Sequence, residues 1–172
     1  NLFKIDIRQV NFDDNYFDYT FTHATIHHVD LPHLAVSELY RVAKKGALII
    51  ESNDSIVMRL ASYFNFTENF EISSVKNNTG GLLNTGVPNY VYRWTEREIT
   101  KLIKSYKPQY KHNIYFNYYY DHNNYSNSKG YIKKTIKILL NIFLKIYFIF
   151  FKNQKNVFSI YIDKENKIDR FI

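Results

Sequence analysis

Apolar and polar positions first alternate along this chain, then recur at helical spacing, then give way to a short apolar run. Phe17, Tyr19 and Phe21 alternate with Asp18, Thr20 and Thr22, the two-residue period of a strand. Asp30 followed by Pro32 predicts a helix start, because a carboxylate caps free amides and proline suits the first turn. Ala35, Leu39, Val42 and Ala43 follow at helical spacing, and Gly46 is expected to close the helix. Ala47 to Ile50 is continuously apolar, as in a strand buried on both faces of a parallel sheet. Strand, helix and strand in close succession predict a βαβ unit with a right-handed crossover.

The flanking segments are less regular. Residues 2–7 alternate weakly and read as the end of a strand, and residues 8–16 are turn-like around Asp13, Asp14 and Asn15. Ile56 to Phe64 suits a helix. Ser73 to Asn89, with Gly80, Gly81, Gly86 and Pro88, reads as a long loop of the kind that serves as an active-site lid. Thr95 with Glu98 spells a capping box, Ile99, Leu102, Ile103 and Tyr106 mark one helix face, and Pro108 stops it. Residues 113–120 and Val157 to Ile162 read as two further strands. The fold class is therefore α/β.

Residues 131–151 stand apart. Ile138 to Phe151 is apolar except for Asn141 and Lys145, and Lys133, Lys137, Asn141 and Lys145 recur every four residues. Three arrangements remain open: a helix on the sheet with snorkelling lysines, an amphipathic helix on a membrane surface, or a spanning helix.

Composition narrows the function classes. A chain of 172 residues with 45% hydrophobic positions can fold as one domain with a real core, which excludes a disordered chain. The absence of cysteine excludes a disulfide framework, a thiol nucleophile and cysteine-ligated zinc, and fits a cytoplasmic location. No signal-peptide pattern opens the sequence, and a start on Asn1 rather than Met fits a processed, truncated or partial chain. The net charge of +7 admits anionic partners. Nucleic acid is disfavoured, because the tyrosines between Tyr106 and Tyr125 alternate as a sheet strand does.

The stretch Phe17 to Val29 (FDYTFTHATIHHV), with its sequel Glu38 to Gly46 (ELYRVAKKG) and Leu48 to Glu51 (LIIE), resembles the second half of the class I S-adenosylmethionine-dependent methyltransferases. The match belongs to their small-molecule methyltransferase domain family and runs over residues 5–52. A second island, Gly86 to Glu98 (GVPNYVYRWTERE), is similar to a segment that opens a late helix in bacterial members. The resemblance implies a partial Rossmann-like fold: a mostly parallel sheet with an antiparallel last strand, flanking helices, and a single domain over residues 1–172. The family's glycine-rich loop lies upstream of the matching region, so weak cofactor binding is expected of this chain alone.

By the same resemblance the cofactor is S-adenosylmethionine and the partner a small-molecule methyl acceptor, methylated on O, N or C. Asp6 and Ile7 match the positions that meet the adenine, while Thr22 and His23 match those bordering the methionine part. Tyr90, Tyr92, Arg93 and Trp94 would wall the acceptor site, with a core role for Trp94 as the alternative. Glu38 and Arg41 match the family's helix signature, with an architectural role in holding the helix to the sheet.

His27 and His28 are the candidate catalytic residues, since an imidazole can strip a proton from a hydroxyl or amine; a structural role at the loop–helix junction is the other reading. His33 lies nearby, but no carboxylate or further histidine completes a recognised ligand spacing, so no metal is expected. The competing function is a non-catalytic module that keeps half the fold and contacts a membrane peripherally, or a partner, through residues 131–151.

Overall fold

The computed structural model describes residues 2–121 and 131–164, and for 131–138 the backbone alone. The elements in chain order are β1 (Phe17–His23), α1 (Pro32–Val42), β2 (Ala43–Ser52), α2 (Ile56–Tyr63), β3 (Val75–Lys76), β4 (Thr79–Gly80), α3 (Glu96–Tyr106), β5 (Asn113–Tyr119), α4 (Tyr131–Phe150) and β6 (Val157–Asp163). The main sheet has the order β1-β2-β6-β5. β1 and β2 pair in parallel, whereas β6 runs antiparallel to both β2 and β5. β1, β2 and β5 thus share one direction and the last strand opposes them, as the family resemblance implied.

Strand register sorts the side chains into two faces. Thr22, Ile49, Ile160 and Phe116 lie in one row across the sheet, and Thr20, Ala47, Ile162 and Ile114 in the next. This is the packed face. Ala35, Val36 and Leu39 of α1, Ile99 and Ile103 of α3, and Trp94 join Ile49, Phe158, Ile160 and Ile162 in one buried cluster. On the opposite face, Phe21, Leu48, Tyr161 and Tyr115 form a row, with Phe21 and Tyr115 more than half exposed. β2 is therefore buried on one face, with Leu48 and Ile50 only half-buried, rather than on both.

Several expectations change. Residues 2–7 form no strand and Leu2, Phe3 and Ile5 are exposed, because nothing among the described residues pairs with them. Gly46 does not close α1: the helix ends at Val42, and Ala43 is already extended. Gly46 lies within β2, where an added Cβ would come within 2.7 Å of the Tyr161 ring. Asp30 does not cap α1 either. Leu31 is the N-cap residue with no side-chain bond, while Asp30 accepts from Arg8 at 2.7 Å. The long loop contains a hairpin, β3 to β4, turned by Asn77 and Asn78 at φ 51° and 61°, the left-handed pair that suits a two-residue hairpin turn.

Thr95 does cap α3, accepting from the Glu98 amide at 3.1 Å. The Glu98 carboxylate does not complete the box, because it accepts instead from the Tyr92 hydroxyl and meets His33 at 2.9 Å. The described side chains of α4 are mostly exposed instead of packed on the sheet. Phe148 of this helix is buried beside Tyr120, whose hydroxyl donates to Asn141 at 2.9 Å, whereas Leu139, Ile142, Phe143, Ile146 and Ile149 are exposed. Among the described residues, no helix is long and apolar enough to cross a membrane.

Glu38 and Arg41 tie the incoming chain to α1 rather than α1 to the sheet. Arg41 donates to the carbonyls of Val10 (2.7 Å) and Phe12 (2.8 Å), to Asp14 (3.0 Å) and to Glu38 (2.7 Å), and Glu38 accepts from the Val10 amide at 2.9 Å. The guanidinium of Arg41 beside it holds the Glu38 carboxyl below its ordinary value of 4.5. A depressed carboxylate contributes stability that is fully present above the unfolded value and is lost as pH falls through the folded one. Urea midpoints followed by Trp94 fluorescence should therefore drop as pH is lowered from 4.5, and Glu38→Gln should cost about 1–2 kcal/mol at neutral pH while flattening that acid slope.

Candidate functional site

The carboxyl ends of β1, β2 and β5 and the amino end of β6 meet at one rim of the sheet, the place where open α/β sheets bind ligands. A cleft of about 650 Å³ opens there, bordered by His23, His27, His28, Glu51, Glu71 and Arg93, with Glu68, Ser73, Asp121 and Asn156 on its edges. Its walls are polar, and most of its ionisable groups are carboxylates and imidazoles.

The chain leaves β1 through Ala24, which sits at φ 49°, a left-handed conformation that non-glycine residues adopt at a cost. The Ala24 amide donates to Ile50 at 3.0 Å, which keeps the turn against β2. A single 3-10 turn, Ile26–His28, follows, and its amides are collected by Glu51 at the end of β2. One Glu51 oxygen accepts from the amides of Thr25 (2.9 Å) and Ile26 (2.8 Å), and the other meets His27 Nδ1 at 2.8 Å. Glu51 is 1% exposed, so a buried carboxylate is matched by three donors, as burial of such a group requires.

That bond fixes the His27 ring with Nε2 facing the cleft, 3.6 Å from a Glu71 oxygen. His28 Nε2 lies 3.6 Å from the same oxygen, and the two rings are 4.5 Å apart. Burial lowers the His27 pKa, but the bond and charge of Glu51, with Glu71 behind, outweigh it and leave a net upward shift. Glu71 is itself positioned: its amide donates to Asn89 O at 3.0 Å, and the buried Asn89 side chain donates to its carboxylate at 3.3 Å.

The other sequence candidates are distributed more widely. His23 is exposed at the end of β1 and lines the cleft, next to Thr22, which is buried on the packed face. Asp6 does not line it: its carboxylate is gripped by Arg8 at 2.6 Å, and the Arg8 bonds pull its pKa down to about 2. Ile7 is half-buried against the core cluster. Arg93 lines the cleft and donates to Glu68 O at 2.7 Å and to Asn69 at 3.2 Å. Tyr90, Tyr92 and Trp94 do not line it. Tyr90 packs on Phe70, Tyr92 lies against His33 and Trp94, and Trp94 is fully buried in the core, the alternative weighed for it. His33 is likewise drawn away from His27 and His28 to Glu98.

Glu51 and Glu71 were not singled out from the sequence. Glu51 lies at the carboxyl end of β2, where open α/β sheets bind ligands, so that general rule is the signal that could have found it. No local signal marked Glu71, which arrives from an irregular segment more than forty residues past His27.

Residues 1–50 match a family model described as a methyltransferase domain. The resemblance to class I S-adenosylmethionine-dependent methyltransferases holds. The architecture agrees with it. The chain superposes on a SAM-dependent methyltransferase of Thermotoga maritima, described as a possible histamine N-methyltransferase, with TM-score 0.50 and 15% identity over 95% of this chain and 63% of that one. A SAM-dependent methyltransferase of Archaeoglobus fulgidus gives TM-score 0.52 at 10% identity, over 95% of this chain and 67% of its own. One from Methanosarcina mazei gives 0.51 at 14%, over 93% and 65%. At these identities the likeness is one of fold, and the chain spans less than two thirds of the Thermotoga protein. Among curated proteins no relative matches the sequence.

Removing the Glu51 carboxylate strands two amides and the His27 Nδ1 proton in a dry place. Glu51→Ala should therefore destabilise the chain by about 3–5 kcal/mol in urea titrations read by Trp94 fluorescence, and Glu51→Gln, which keeps an acceptor for the amides, by less. Equal midpoints for the native chain and Glu51→Ala would refute this account of the rim.

Proposed function

We propose that this chain takes part in methyl transfer from S-adenosylmethionine to a small-molecule acceptor, with the reaction at the rim cleft. The observation that carries the reading is the cleft's position: it lies past the carboxyl ends of β1 and β2 in a sheet of methyltransferase architecture, next to the matched segment. S-adenosylmethionine, when bound, supplies a methyl group on a sulfonium that a nucleophile can displace. A cleft edged by Glu68, Glu71 and Asp121 suits a donor carrying sulfonium and ammonium charge. Thr22 and His23 would border its methionine part. Asp6 would serve the adenine only after releasing Arg8.

The chain's own residues would act mainly by holding the acceptor in line with the methyl group. Arg93 offers a cation at the cleft wall to an acidic acceptor, and its carbonyl and amide partners fix its direction. His28, half-exposed, is the imidazole an acceptor hydroxyl or amine would meet, and its role would be to take the proton. His27 is buried and committed to Glu51, so it orients this wall rather than moving freely.

Saturation-transfer NMR, which detects weak complexes, tests the reading. S-adenosylhomocysteine mixed with the chain should show saturation on its adenosine protons, reduced when His23→Trp fills the cleft mouth. No saturation at millimolar ligand would remove the support for a cofactor site.

The exposed apolar residues of α4 favour a second reading, in which the chain also rests on an anionic membrane surface. In flotation assays the chain should rise with phosphatidylserine vesicles, and the double substitution Ile142→Asp, Ile146→Asp should leave it at the bottom. Equal behaviour of the two chains would dismiss this second role.

A further inference from the structure

We propose that His27, His28 and Glu71 form a binding site for a first-row divalent transition-metal ion, of which zinc is the representative, at the wall of the rim cleft. His27 Nε2 and His28 Nε2 each lie 3.6 Å from one Glu71 oxygen, and the three ligand atoms all fall within 4.8 Å of one another. Ligands about 2 Å from a common ion stand roughly 3.3 Å apart in a tetrahedron. The observed spacing therefore needs only small rotations of His28 and Glu71, both half-exposed, to close on an ion. Two imidazoles and one carboxylate favour zinc, iron or cobalt over magnesium or calcium, which prefer all-oxygen shells.

The groups behind the ligands support the assignment more strongly than the ligands alone. Metal-bound histidines usually donate their second ring N–H to a carboxylate, which sets the tautomer and aims the free nitrogen. His27 does this: with Nδ1 donating to buried Glu51 at 2.8 Å, Nε2 is the nitrogen turned toward His28 and Glu71, and an ion there would take the place of its proton. The carboxylate ligand has its own support in Asn89, fully buried and donating at 3.3 Å. Two of three ligands are thus braced by buried polar residues from different parts of the chain, one from the end of β2 and one from the segment before α3.

Charge balance fits as well. One carboxylate ligand and Glu51 behind His27 together offset a divalent ion, so no net charge is left in the half-buried wall. Three protein ligands leave coordination positions open toward the cleft, the arrangement of a reactive rather than a purely structural site. An oxygen or nitrogen of a bound small molecule would fill them. The site stands on these side chains alone and does not depend on the methyl-transfer reading; with an ion bound His28 is a ligand, and its proton-taking role belongs to the metal-free chain.

Cobalt(II) is the probe, because its visible absorption reports inner-sphere ligands directly. The metal-free 172-residue chain, titrated with cobalt chloride, should take up one equivalent with a visible d–d band that zinc then abolishes. His28→Ala and Glu71→Ala should each weaken uptake by at least about tenfold, while Trp94 fluorescence stays native, since both positions are half-exposed. His112→Ala, at a histidine bonded to Lys107 O away from the cleft, should leave uptake unchanged. The proposal is overturned if the native chain shows no cobalt band, if His28→Ala and Glu71→Ala bind as the native chain does, or if His112→Ala removes the band. None of these readings involves S-adenosylmethionine, so their outcome is separable from that of the saturation-transfer experiment.

Discussion

The rim of this protein depends on one buried carboxylate. Glu51 stands where β2 ends, and a charge taken out of water at that point has to be matched by donors. The amides of Thr25 and Ile26 and the ring of His27 supply them, all from the turn that follows β1. A strand-end residue thereby dictates the path of the chain leaving the neighbouring parallel strand. Ala24 holds its left-handed φ because the surroundings over-determine it, with Ile50 O on one side and Glu51 on the other. The orientation of His27, and so the chemistry of the cleft wall, follows from that constraint.

The second half of the wall is assembled from distant sequence. Arg93 reaches Glu68 and Asn69, Asn89 reaches Glu71, and an isolated bridge pairs Phe70 with Tyr90. These contacts bind the segment before α3 to the segment after α2 and hold both over the rim. Trp94 anchors that arrangement from below. It is buried among Tyr92, His33 and the α3 cluster, and its backbone bonds to Ser52 and Asp54 attach it to the end of β2. A core residue therefore places the loop over the rim, although it does not line the cleft.

The sheet itself is asymmetric. One face carries the hydrophobic cluster, and the other carries a row of aromatics that includes exposed Phe21 and Tyr115. On that second face Gly46 lies under the Tyr161 ring, which explains why a residue without Cβ occurs inside a strand.

The βαβ unit was legible because its period changes cleanly, from alternation at Phe17 to Thr22, through helical spacing at Ala35 to Val42, to an apolar run at Ala47 to Ile50. The family resemblance matched Thr22 and His23 to the methionine end of the cofactor, and imidazole proton chemistry made His27 and His28 candidates. Local sequence could not assign the ends of these elements, since whether Gly46 stops a helix or lies under a ring depends on Tyr161, more than a hundred residues later. Nor could it foresee that Asp6 would be occupied by Arg8 or that Glu98 would turn to Tyr92 instead of its own cap, and it left open whether Trp94 lies in the core or at the cleft. Periodicity reports which side of an element is apolar, and that is a local property of the chain. Bringing a carboxylate at position 71 against two imidazoles at 27 and 28 takes the closure of long loops around a finished sheet, so only the tertiary structure could decide it.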